Sequence, residues 1–137
     1  MNTQTLAQRR AAHALRHIQT HKAAGANNYG NYVSYVEALP ATILMNGFGQ
    51  AVATLLSKAE GNLTEPHGLL YADVQDWLCG SDPAAPYPNA TGGDDRLMQT
   101  IIAKHECIYL RAQAEALAYL VWLKKFACAY LERGIAA

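Results

Sequence analysis

The stretch "YLRAQAEALAYLVWLKKFACAYL", residues 109–131, constrains the fold more than any other part of the chain. At helical spacing, Tyr109, Ala112, Ala116, Tyr119, Leu120, Leu123, Phe126, Ala127 and Tyr130 gather on one broad apolar face. Arg111, Glu115, Trp122 and Lys125 fall opposite that face or at its border. The pattern predicts a helix over about 107–133, stopped by Gly134. Trp122 stands off the main stripe, which suits a partner contact or a second layer of the fold.

Nearly every other segment has helical periodicity too, and convincing strand alternation is absent. A first helix is expected near 4–23, ended by Gly25 and the "NNYGN" turn, and a shorter one near 29–39. Pro40 is expected to open the next, which carries "LPATILMNGFGQAVATLLSK" (39–58). Further helices are expected near 67–79 and from Asp94–Asp95 to about 104, with "EGNLTEPHG" (60–68) as a loop. "GSDPAAPYPNATGG" (80–93), rich in proline and glycine, reads as a long surface loop. The expected fold is all-α: a compact single-domain bundle of about five or six helices with a long C-terminal helix, spanning 1–137. A chain of 137 residues can bury about two thirds of its unfolded surface.

Asn46, Gly47 and Gly49 interrupt an apolar run in which Ile43, Leu44, Phe48, Val52, Leu55 and Leu56 supply core area. A strand, a glycine turn and a helix start would mimic a dinucleotide-binding loop. Val52 stands where that fingerprint needs its third glycine, and the chain offers no sheet to complete the unit. The glycines are therefore structural, serving either a bend or a close approach.

Several function classes find no support. No apolar run reaches the roughly 18 residues of a membrane span, and "MNTQTLAQRRAAH" has no apolar stretch of a signal peptide behind its arginines. Cys79, Cys107 and Cys128 lack zinc-finger spacing and fit reduced thiols in a cytoplasmic protein. Ser34, Ser57 and Ser81 lie in no nucleophile motif, and the acids of 60–106 look scattered over loops and helix starts. No catalytic residue, cofactor or metal ligand is expected.

Charge is uneven although the net is zero: residues 1–59 balance at +4, residues 60–106 at −6 and residues 107–137 at +2. Either a basic end meets a polyanion, or folding sets acids beside bases. On the first helix, Arg9, Arg10, His13, Arg16, His17 and His21 share an arc of roughly 140°, with Ala7, Ala11, Ala14, Leu15 and Ile18 on the other side. His13, His17 and His21 recur every four residues, but position 14 is alanine and no nearby acid completes a zinc motif. They are expected on a solvated polar face. Phosphate contact is plausible chemistry for the arginines, and Trp122 beside Lys124 and Lys125 could stack on a base.

"YVEALPATILMNGFGQAVATLLSK", "LLYADVQDWLC" and "YLRAQAEALAYLVWLKKFA" resemble, in order and spacing, the small helical subunit of the type III-B (Cmr) CRISPR RNA-guided effector complex. The likeness spans about residues 5–131. Its specific parts are Leu39-Pro40, Asn46-Gly47-x-Gly49-Gln50-Ala51, Trp77-Leu78 and Glu115-Ala116-Leu117 with Trp122-Leu123-Lys124-Lys125-Phe126-Ala127. Leu110 stands where the family often has arginine after the tyrosine. The resemblance implies packed helices, no catalytic activity, and a place in an antiviral ribonucleoprotein. Its implied partners are other Cmr subunits, stacked copies of the chain itself and target RNA, with guide RNA as a further candidate and no membrane. Head-to-tail stacking requires one surface to match a different one. Expected RNA contacts are Arg9, Arg10, Arg16, Lys58, Lys124 and Lys125, and Trp122 is the expected partner contact. The rival reading is a stand-alone helical DNA-binding regulator using the first helix, although "NNYGNYVSYVEAL" is aromatic rather than basic. A zinc-dependent enzyme is the third reading.

Overall fold

The computed structural model describes residues 4–24 and 29–131. Six α-helices follow one another, with no strand among the described residues: α1 (Leu6–Ala24), α2 (Tyr29–Asn46), α3 (Phe48–Ala59), α4 (Pro66–Leu78), α5 (Arg96–Ala103) and α6 (Glu106–Tyr130). A 3₁₀ turn, Gly93–Asp95, leads into α5. The all-α bundle with a long C-terminal helix is as expected. The turn after α1 at 25–28 and the stop at Gly134 lie outside the described residues.

Local chemistry sets the boundaries. Thr5 and Gln8 form a reciprocal cap on α1, each side chain accepting from the other's backbone N–H at 3.1 and 2.8 Å. Glu60 takes a left-handed conformation at the end of α3, and its N–H and that of Gly61 return to carbonyls of the last turn. Glu65 caps α4 through the His67 N–H, with Pro66 at the first helical position.

Three features differ from expectation. Pro40 does not open a helix but lies inside α2. A proline there costs about 3 kcal/mol. The buried stripe of Val33, Val36, Leu39 and Ile43 runs across it and offsets that cost. The loop 80–93 is not a surface loop throughout: Ala85, Pro86 and Tyr87 are buried, and the Tyr87 N–H bonds the Leu78 carbonyl at 3.1 Å. Leu44, expected in the core, is exposed.

One apolar cluster draws on all six helices. Contacts rise together along α1 and α6, from Arg10–Glu115 through His13–Tyr119 to Lys22–Tyr130, so these helices run parallel. Against α4, α1 is antiparallel: His13 meets Asp76 and His21 meets Asp73.

Bend and close approach both occur at the glycines, on different residues. Gly47 (φ 91°, ψ 154°) separates α2 from α3 in a backbone region reserved for glycine. Gly49 donates its N–H to Tyr109 Oη at 2.8 Å, with the ring packed beside it. A Cβ at Gly49 would meet that hydroxyl at 3.4 Å, an ordinary contact. Gly47→Ala should therefore lower unfolding free energy by about 1–3 kcal/mol. Gly49→Ala should stay within about 1 kcal/mol of the parent, because space and helix propensity both allow alanine. Urea denaturation of the two variants checks this; equal losses would contradict the division of roles.

Candidate functional site

The densest polar chemistry lies between α1 and α4, and it overturns two expectations. His13, His17 and His21 do not form a solvated face: His13 and His21 are buried and His17 is half-buried. Nor are the acids of 60–106 all scattered. Asp73 and Asp76, three apart on α4, share a helical face turned toward the histidine row. His17 Nδ1 meets Asp73 Oδ1 at 2.7 Å and His17 Nε2 meets Asp76 Oδ2 at 2.9 Å. His13 Nε2 reaches the same Asp76 oxygen at 2.8 Å, and His21 Nε2 reaches Asp73 Oδ2 at 2.7 Å. Tyr32 of α2 donates its hydroxyl to Asp73, and His13 Nδ1 lies 2.6 Å from Tyr119 Oη of α6.

A second buried acid holds the opposite flank. Glu115, expected opposite the apolar face of α6 or at its border, is only 8% exposed and so lies on the border that folding buries. It takes a bidentate pair from Arg10 at 2.6 and 2.8 Å and the Trp77 indole N–H at 2.9 Å. Trp77 stacks on Tyr119, their ring centres 5.6 Å apart and nearly coplanar in orientation. Arg9 pairs with Asp82 of the long loop at 2.8 Å. Folding thus does set N-terminal bases beside central and C-terminal acids.

The expected RNA contacts divide accordingly. Arg9 and Arg10 carry carboxylate partners of their own chain. Arg16, Lys58, Lys124 and Lys125 are exposed and have no carboxylate partner among the described residues. Trp122 is half-buried against the core, 6.0 Å between ring centres from Phe126, which in turn lies 6.3 Å from Tyr130. Arg111 points its guanidinium toward the Ala85 and Pro86 carbonyls.

Burial alone would lower the His17 pKa, but its bonds to Asp73 and Asp76 outweigh burial and raise it to about 9. Burial lowers that of His13, with Asp76 only partly opposing. Bonds from His13 and His17 hold Asp76 well below the carboxylate range. Burial pushes Asp73 up, yet bonds from His17 and His21 prevail and leave it lowered. A raised pKa in the folded state gives stability present below the unfolded value of 6.5 and lost as pH rises through about 9. The lowered carboxylates act oppositely, their contribution being lost as pH falls below 3.8. Denaturant stability in metal-free buffer should therefore decline from pH 6.5 to 9, and His17→Gln should flatten that decline. An equal alkaline slope in the variant would contradict it. Glu115→Ala should cost about 3–5 kcal/mol by stranding Arg10 beside the unpaired Trp77 N–H, measured by the same denaturation.

Comparison with known proteins gives concordant findings. A family model described as CRISPR-associated protein (Cas_Cmr5) matches residues 6–130. The crystal structure of a CRISPR-associated Cmr5 family protein from Thermus thermophilus superposes with a TM-score of 0.73 at 26% identity, covering 94% of this chain and 100% of that one. The family residues of the sequence sit at structural joints: Gly47 and Gly49 beneath Tyr109, and Trp77 and Glu115 bonded to each other. With its motifs, its helical fold and the matched length in agreement, the chain belongs to the Cmr5 family, the small helical subunits of type III-B (Cmr) CRISPR complexes.

Proposed function

We propose that the chain is a non-enzymatic structural subunit of a type III-B CRISPR ribonucleoprotein effector complex in antiviral defence, stacking with copies of itself and with partner subunits and helping to bind target RNA. The observation that carries this reading is the Cmr5 match across residues 6–130, which takes in every helix of the bundle. Surface chemistry supports it. Leu44, Met45, Ile102 and Leu110 are exposed on the segments that flank the Gly47–Tyr109 joint, and a Cβ at Gly49 would lie 3.7 Å from Ile101. Along the far half of α6, Trp122, Phe126 and Tyr130 form an aromatic ladder beside exposed Val121. Two dissimilar apolar surfaces are what a head-to-tail stack requires.

RNA phosphates would meet Arg16, Lys58, Lys124 and Lys125 first, since these cations are exposed. A contribution from Arg9 or Arg10 requires exchange of Asp82 or Glu115 for phosphate, so these two are the weaker contacts. Guide RNA is the alternative polyanion for the same side chains.

Purification of the tagged chain from its native cells, with identification of bound proteins and RNA, tests the reading. Larger subunits carrying short RNAs of one shared 5′ segment are expected; the chain alone, or bound to DNA, would overturn it. Lys124→Ala with Lys125→Ala should weaken target RNA retention by the assembled complex and reduce its log–log salt slope by roughly one unit for each phosphate no longer neutralised. Unchanged retention and slope would remove the pair. Trp122→Ala should lower recovery of partner subunits while leaving the fold intact by circular dichroism.

A further inference from the structure

We propose that His13, His17 and Asp76 form a binding site for one zinc(II) ion that ties α1 to α4. Each residue offers a ligand atom, and the three atoms lie within 4.8 Å of one another. His13 Nε2 and His17 Nε2 converge on a single oxygen, Asp76 Oδ2, at 2.8 and 2.9 Å, so protons now occupy the ground a cation would take. Tetrahedral zinc with bonds near 2 Å spaces its ligand atoms by roughly 3.3 Å. Admitting the ion requires the Asp76 carboxylate to draw back by about half an ångström. That side chain is 48% exposed and can do so.

The imidazole rings are already placed as those of zinc ligands are placed. A ligating histidine presents one ring nitrogen to the metal while an acceptor fixes the N–H on the other. His17 Nδ1 is fixed by Asp73 Oδ1 at 2.7 Å, and His13 Nδ1 faces Tyr119 Oη at 2.6 Å, a hydroxyl that donates to it now and accepts its N–H once the ion takes Nε2. Asp73 is itself fixed by His21 and Tyr32, so the outer layer of the site is complete. The two rings stack with centres 4.2 Å apart, as the spacing of four residues on a helix dictates. His13 and Asp76 also line a cleft of about 330 Å³, which gives the ion an entry path and leaves room for a water as fourth ligand. Two nitrogens and one oxygen favour zinc over magnesium or calcium, which prefer all-oxygen sites. The neighbouring group of His17, His21 and Asp73 shares His17, and its carboxylate is only 2% exposed, so the outer group is the site and the inner group its support.

The test uses the full chain, purified without a histidine tag and stripped with a chelator, then titrated with zinc chloride against a chromophoric chelator. One zinc per chain is expected, together with a rise in Tm. Cobalt(II) should give the intense visible absorption of a four-coordinate site. Asp76→Ala should abolish stoichiometric uptake and the Tm rise while keeping its helical circular dichroism. Tyr119→Phe, which removes only the acceptor behind His13, should weaken zinc by roughly 10- to 100-fold. No stoichiometric uptake by the parent chain would overturn the proposal, as would uptake that both variants leave unchanged.

Discussion

Asp73 is the residue on which the rest of the bundle depends. A carboxylate 2% exposed to solvent is tolerable only with its oxygens supplied by donors, because an unpaired buried charge costs several kcal/mol. The donors come from two other helices: His17 and His21 on α1 and Tyr32 on α2. Close packing of the apolar faces already resists sliding, and one anion with fixed donors adds a polar constraint on the register. Gln75, two residues on, extends the same logic, taking the Leu97 N–H and giving its amide to the Asp94 carbonyl to fix the start of α5. α4 thus organises its neighbours through polar side chains while its leucines and valine fill the core.

Glu115 performs the corresponding task on α6, and the two acids together place Trp77 and Tyr119 at the centre of the molecule. Trp77 gives its N–H to Glu115 and its face to Tyr119, while Tyr119 meets His13 by its hydroxyl. Family resemblance carried by Trp77 and Glu115 therefore marks the fold rather than a chemical site.

Helix content and the apolar stripe of α6 were legible because burial of a helix face imposes a period on the sequence. Val33, Val36 and Leu39, or Tyr119, Leu120 and Leu123, follow that period and are buried. The polar joint was not legible for a related reason. Histidine, aspartate and glutamate carry the same period but are read as outward-facing unless their partners are known, and those partners lie 38 to 106 positions away. The available signal was the pairing of two periods: histidines every four residues on one helix, aspartates three apart on another. Pro40 misled because its local penalty was weighed without the continuous stripe around it. The charge imbalance along the chain was real, yet Arg9 and Arg10 show that part of it exists to be neutralised within the fold.

The parallel run of α1 beside α6 has a consequence for how the molecule comes into being. Arg10 waits 105 residues for Glu115, and His13 waits 106 for Tyr119. Helices α2, α3 and α4 find one another over short stretches of chain, but α1 lacks half of its seat until the last helix is synthesised. Closure of such a long loop is entropically slow, and a chain halted before α6 leaves Arg10 without Glu115 and His13 with Asp76 alone. The C-terminal helix therefore supplies the last of the partners that the first helix needs.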